Sequence, residues 1–316
     1  HYVKKRVKKA KIFMCRDHGG PWQNNNEVNF KYSLNKTMQS AKESFKTDID
    51  NDFKILHIDT SIDIKHKKLD FNKSMERLFE LYEFCYDYSK RKKKKILFEV
   101  GTEEQSGSTS TFEELENTLD VIQKRCLKLK LPFPTFIVIQ SGTKVMERRN
   151  IGSFESYVRV SNELPVEIQL IKNLEICKKY KIFMKEHNAD YIKTDSIKWH
   201  PLLGIHASNV APEFGVSETL ALFKIFKNEK LKKIEEEFID IAYKSNKWKK
   251  WVLDEKKLSH KEKAIICGHY VFSERRVLEI KEDLKKILKK KGINLDDFLK
   301  ENIKKSILRY LTGFGH

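Results

Sequence analysis

Asp17 and His18 stand side by side in "KIFMCRDHGGPWQ", directly after an apolar run and directly before Gly19, Gly20 and Pro21. An acid next to a base can move a proton on a bound molecule, provided both side chains reach it. Neighbours on a strand face opposite ways, but at a ragged carboxyl end both can turn into one mouth. The plainer alternative is a turn in which Asp17 caps the next helix. Other apolar runs also end in polar residues. Asp59, Thr60 and Ser61 close "FKILHIDTS", and Glu99, Thr102, Glu103 and Glu104 belong to the run that starts "KILFEVGTE". Gln140 and Ser141 end "TFIVIQSG", His187, Asn188 and Asp190 follow "KIFMK", and His206, Ser208 and Asn209 lie in "LLGIHASNVA". Each alone reads as a cap, a turn or a satisfied polar group. Together they predict a site, because parallel α/β folds bind ligands where the carboxyl ends of strands converge.

The elements that must position these residues alternate. Between the strand-like runs, "NKSMERLFELYEFCYDYSK" carries Met75, Leu78, Phe79, Tyr82 and Cys85 at helical spacing. "TFEELENTLDVIQKRCLKL" opens with Thr111 and, three residues on, Glu114, the pattern of a capping box. Strand-helix alternation predicts βαβ units and a parallel sheet. After Pro212 helix follows helix, and "VFSERRVLEIKED" predicts a helix capped by Ser273. Residues 1–226 are therefore expected to form the domain that carries the site, and 227–316 a helical extension. By strand alternation His57 shares a side with Ile55 and Asp59; His200, His206 and His269 read as structural histidines.

A chain of 316 residues with 40% hydrophobic content can bury a full core. No apolar run nears the roughly 20 residues of a membrane span, and the opening residues lack a signal-peptide core, so a cytoplasmic protein is expected. Cys15, Cys85, Cys126, Cys177 and Cys267 are odd in number and form no CxxC pair, as free thiols in a reducing compartment would. The net charge of +18 raises nucleic acid as a partner, but the lysines are spread along the chain without interleaved aromatics or a recognition signature. The expected partner is a small, polar or anionic molecule, not nucleic acid or membrane.

"CRDHGGPWQ", "ILHIDTS", "FEVGTE", "KEHNADY" and "SNVAPEFG" resemble, in order, the strand-end motifs of class II tagatose-bisphosphate aldolases, above all the non-catalytic subunit of the galactitol and N-acetylgalactosamine pathways. The likeness continues into "KWKKWVLDEKK" and "HYVFSERR". It implies a (β/α)8 TIM barrel with a helical carboxyl-terminal segment. The resemblance starts at what would be the third barrel strand, so the first strands are expected to be missing or supplied by another chain. It further implies Asp17 as a proton carrier, His18 and His187 as ligands of a divalent metal, most simply zinc, and Asn209 as a substrate-binding residue. Glu99 and Glu103 are the candidates for a further carboxylate; we assign Glu99 as ligand and Glu103 as catalytic, although spacing does not choose between them. Asp59, Ser61, Gln140 and Arg275 complete the expected substrate contacts.

The implied function is metal-assisted aldol cleavage, or the related enolisation of a sugar or sugar phosphate. A Lewis acid near the carbonyl oxygen stabilises the charge that develops there, and a carboxylate shuttles the proton. Two departures weigh toward the alternative, a non-catalytic subunit that packs against an aldolase partner. "VIQSGTKVMERRN" supplies Gln140 where catalytic relatives carry a histidine, and the phosphate-binding Gly/Ser loop is replaced by "HNADY". A homo-oligomer is the other assembly expected.

Overall fold

The computed structural model describes residues 12–65, 70–101, 111–152 and 166–315. Among them are strands β1 (Cys15–Gly19), β2 (Ile55–Asp59), β3 (Leu97–Gly101), β4 (Phe136–Ile139), β5 (Val145–Met146), β6 (Arg149–Asn150), β7 (Phe183–Glu186) and β8 (Ala207–Ser208). The helices are α1 (Asn25–Asn29), α2 (Leu34–Asp50), α3 (Phe71–Arg91), α4 (Phe112–Leu129), α5 (Val166–Lys179) and α6 (Thr194–Leu203). They continue as α7 (Pro212–Asn228), α8 (Lys232–Lys244), α9 (His260–Cys267), α10 (Arg275–Lys289) and α11 (Leu295–Gly313).

Six strands form one sheet in the order β1-β2-β3-β4-β7-β8, while β5 and β6 make a separate antiparallel pair. The pairings of β1 with β2, β2 with β3 and β3 with β4 are parallel. This corrects the expected (β/α)8 TIM barrel. The α/β alternation is there, but six strands do not make the closed eight-stranded ring, which needs a matched strand number and stagger. Two apolar runs gave less strand than expected. Ile12, Phe13 and Met14 precede β1 and are exposed, and Leu202 and Leu203 belong to α6, leaving only two residues in β8.

The chain divides into two compact units, residues 1–140 with 168–185, and residues 141–167 with 186–316. In the first, α3 is capped by the Asp70 side chain and buries the expected stripe of Met75, Leu78, Phe79, Tyr82 and Cys85. Tyr82 stacks on Phe98 of β3 at 3.8 Å between ring centroids and donates to the Pro132 carbonyl at 2.9 Å. Each such buried side chain contributes about 1.5 to 3 kcal/mol against exposure, which ties α3 to the strands that bear the site. Thr111 caps α4, accepting from the Glu114 N–H at 3.3 Å.

In the second unit, Phe226, Phe238, Ala264, Cys267, Val277, Ile280 and Leu284 form one apolar cluster drawn from α7, α8, α9 and α10. Ser259 and Glu262 close a capping box at α9. The cap of α10 is Glu274, not Ser273, and it makes no side-chain capping bond. The carboxyl-terminal helix α11 is fastened by polar bonds: Glu213 accepts from Ser306, Arg309 and Tyr310.

Candidate metal and acid-base site

A bulge answers how Asp17 and His18 reach one place. Arg16 pairs with Leu56 and Gly19 with Ile58, so three steps along β1 match two along β2. The extra residue breaks the alternation that would send the two side chains to opposite faces. His18 takes φ +44°, a left-handed conformation that costs a non-glycine residue energy and clusters at functional positions. His18 Nε2 then lies 4.0 Å from Asp17 Oδ1, and so does His57 Nδ1. Among the described residues, Asp17, His18 and His57 each offer a ligand atom within 4.8 Å of the others.

Each member is held by a neighbour. His18 Nδ1 lies 2.5 Å from Asp59 Oδ2, which also accepts from Gln23 Nε2 at 3.0 Å. Asp59 Oδ1 accepts from the Ser61 N–H at 2.9 Å. Asp59 thus orients the His18 ring and leaves Nε2 on the side of Asp17. The His57 ring is buried; its Nδ1 receives the His18 N–H at 3.3 Å and lies 3.3 Å from Glu99 Oε1. Glu99, directly opposite His57 in the β2-β3 register, accepts from Lys185 Nζ on both oxygens, at 2.7 and 2.9 Å. His57 Nε2 has no hydrogen-bond partner and faces Gly101, where a Cβ would sit 2.6 Å away. Glycine at 101 is what leaves the ring its room.

Electrostatics follow from this crowding. The neighbouring His57 ring holds the Asp17 carboxyl down at about 2, against the opposing effect of burial, with help from His18 and Lys185. Burial works against a charge on His18, yet its bond to Asp59 and the Asp59, Asp17 and Glu99 charges raise its pKa overall. Burial likewise opposes ionisation of Asp59, but the hydrogen bond from His18 and the nearby imidazoles lower its pKa. Three carboxylates therefore share the neighbourhood of one ammonium and two imidazoles.

This donor set fits a divalent metal. Two imidazoles and one carboxylate with room for further ligands is the composition of catalytic zinc and of non-haem iron sites. A histidine whose other nitrogen is bound by a carboxylate is the usual outer support of such a ligand. The 4.0 Å separations of Asp17 Oδ1 from the two imidazole nitrogens are too long for hydrogen bonds.

The structure brings Asp17, His18, Asp59, Ser61 and Glu99 together and adds His57, Lys185 and Gln23. Gln140 is buried just past β4. Glu103 lies outside the described residues. His187 and Asn209 belong to the second unit: the His187 ring is buried with Asn188 Nδ2 at 3.2 Å, and Asn209 exchanges backbone bonds with Glu186 and Ala189. Arg275 opens α10, exposed and paired with Glu279 at 3.1 Å. Of the additions, His57 was signalled by its alternation with Asp59; Lys185 carried no signal in a lysine-rich chain.

No protein-family model matches the sequence, and no curated protein matches it either. Solved structures do. A probable tagatose 6 phosphate kinase from Sinorhizobium meliloti 1021 superposes with a TM-score of 0.76 at 14% identity, over 99% of this chain and 85% of that one. The glycerol-complexed fructuronate-tagaturonate epimerase UxaE from Cohnella laeviribosi gives 0.54 at 9% identity, over 87% and 66%. Its native form gives 0.51 at 9% identity, over 86% and 66%. At these identities the likeness is one of fold. No helix among the described residues is long and apolar enough to cross a membrane.

Proposed function

We propose that this chain is a divalent-metal-dependent enzyme that cleaves, forms or enolises the carbon skeleton of a carbonyl sugar, as the free ketose, its acid or its phosphate. The observation that carries the reading is the Asp17, His18 and His57 trio, aimed at one point by a bulge and a left-handed His18. Support for the substrate class comes from the names of the structural neighbours, a probable tagatose 6 phosphate kinase and a fructuronate-tagaturonate epimerase. A bound divalent ion would supply Lewis acidity at the sugar's carbonyl oxygen.

The roles of the chain's own groups follow from their surroundings. His18 would present Nε2, His57 its Nδ1 once that atom gives up the His18 N–H, and Asp17 an anionic oxygen, to the ion. With its pKa held at about 2, Asp17 stays ionised and takes up a proton poorly near neutrality, so its charge rather than its basicity is its contribution. Proton transfer then falls to Glu103, as the sequence reading suggests. Asp59 orients His18, and Ser61 and Gln23 orient Asp59.

The test is zinc, manganese and cobalt binding by the purified chain, wild type beside His18→Ala and His57→Ala, followed by turnover of a ketose, ketose-phosphate and keto-uronate panel. Stoichiometric binding lost in both variants, with turnover lost in Asp17→Asn and Glu103→Gln, is expected. Binding that survives both histidine changes overturns the reading. One observation favours the second reading, a subunit that packs on a catalytic partner: Ile12, Phe13 and Met14 are more than half exposed directly before β1. Under that reading Asp17→Asn leaves the activity of the assembled pair unchanged.

A further inference from the structure

Lys185 occupies an unusual position. On β7, with its side chain 12% exposed, it places one ammonium between both oxygens of Glu99, which is 1% exposed. A buried carboxylate left unpaired is costly, so without another cation Glu99 requires Lys185. Yet Glu99 Oε1 is also 3.3 Å from His57 Nδ1. That is about the edge of a tetrahedron of ligand atoms around an ion held at 2.0 to 2.1 Å. Asp17, His18 and His57 supply three donors, and Glu99 Oε1 is the anionic oxygen beside the third of them, His57; a swing away from the ammonium would bring it to the other two. Lys185 thus sits where it shields a potential fourth ligand.

We propose that Lys185 is a built-in counter-ion that a divalent cation displaces: Glu99 leaves the ammonium to join Asp17, His18 and His57 as a ligand. The proposal rests on the metal reading above and deepens it. Its charge accounting is simple. In the metal-free chain the Glu99 and Lys185 charges cancel. On binding, Glu99 partners the cation and Lys185 keeps its proton as a released ammonium, free to meet an anionic group of the substrate. Metal affinity is consequently lowered by the lysine, which competes for Glu99 and repels the incoming cation.

This has a sign that a supporting role does not share. If Lys185 merely held Glu99 in place, removing it would weaken metal binding; as a competitor, its removal strengthens binding. The experiment is zinc titration of the full chain against a chromogenic chelator, for wild type, Lys185→Met, Lys185→Gln, Lys185→Arg and Glu99→Gln. Tenfold or greater tightening in Lys185→Met and Lys185→Gln is expected, with Lys185→Arg near wild type and Glu99→Gln at least tenfold weaker. The glutamine variant keeps a hydrogen bond to Glu99 and serves if the methionine variant folds poorly. Alongside, the Lys185 ammonium resonance in a 15N-lysine spectrum is expected to lose its hydrogen-bonded character when zinc is added to wild type. Unchanged or weaker zinc binding in both neutral variants, or an ammonium resonance that zinc does not alter, overturns the proposal while leaving the metal reading intact. Absence of zinc binding in wild type and all variants overturns both.

Discussion

Two groups of polar side chains, one in each unit, are built on opposite terms. In the second unit Glu186 accepts from Ser141 at 2.7 Å and Ser208 at 3.2 Å, and lies 2.6 Å from His200 Nε2. Glu213 accepts from Tyr191 N–H, Ser306, Arg309 and Tyr310, and Asp190 takes the N–H groups of Ala211 and Glu213 at the start of α7. Each of these carboxylates accepts two or more short hydrogen bonds, as a structural network must. In the first unit the Asp17 carboxylate meets its two histidines only at 4.0 Å. The contrast teaches how to separate scaffold from site among carboxylates: one tied by several short bonds holds the fold, and one left 4.0 Å from its neighbours is kept ready for something not of the chain.

That distinction breaks first if the scaffold is not scaffold. Glu213→Ala strips the acceptor from three side chains of α11, Ser306, Arg309 and Tyr310, that reach back across the sequence. Removing one partner of such a pair costs on the order of 3 to 5 kcal/mol, to be read as a lowered urea midpoint. Ser141→Ala removes one bond to the buried Glu186. Its cost is about 1.5 to 3 kcal/mol, the range for a hydrogen bond to a charged group, by the same measurement. Asp17→Asn sits at the other end. With a side chain 65% exposed and its histidine contacts at 4.0 Å, most of the stabilisation implied by its lowered pKa is screened by solvent, and the substitution is expected to change the stability of the metal-free chain by less than about 1 kcal/mol while abolishing zinc binding. A loss of stability in Asp17→Asn as large as in Glu213→Ala would erase the contrast.

What could be read in the sequence followed local rules. Asp17, His18, Asp59, Ser61 and Glu99 share a neighbourhood because the ends of parallel strands meet, and the strands themselves were visible as short apolar runs. The α3 stripe from Met75 to Cys85 was legible for the same reason, since side-chain period is a local property. The bulge at Asp17 was not, because nothing in "CRDHG" states how many residues of β1 oppose β2. Barrel closure was not, because it depends on pairing between strands far apart in sequence. The apolar run of Ile12, Phe13 and Met14 before Asp17 is exposed: apolarity says that a residue gains from cover, not that the cover is there. Lys185 was hidden by composition, one lysine among 63 basic residues, until its bond to Glu99 singled it out.

The smallest effects sharpen the comparison within the second unit itself, where two titratable groups are held away from their preferred charge. His269 packs against Gly215, where a Cβ would meet the ring at 2.4 Å, and its buried Nδ1 has no hydrogen-bond partner. Burial, with the Lys250 charge, pushes its pKa down to about 4. The folded chain then binds fewer protons there than the unfolded one between pH 4 and about 6.5. Its contribution is complete above pH 6.5 and is lost as pH falls through that window, with a slope below the single-group ceiling of about 1.4 kcal/mol per pH unit. Asp190 has the opposite sign. Burial raises its carboxyl to about 7, outweighing the two N–H bonds it accepts, so the fold favours its protonated form. Stability falls on that account as pH rises from about 4 to 7. The two slopes cancel in the wild type and separate in variants. In urea titrations from pH 4.5 to 7.5, His269→Gln is expected to flatten the acid loss and expose the Asp190 decline, and Asp190→Asn the reverse. Parallel pH profiles in both variants and the wild type would show that neither group is titrating out of its ordinary range.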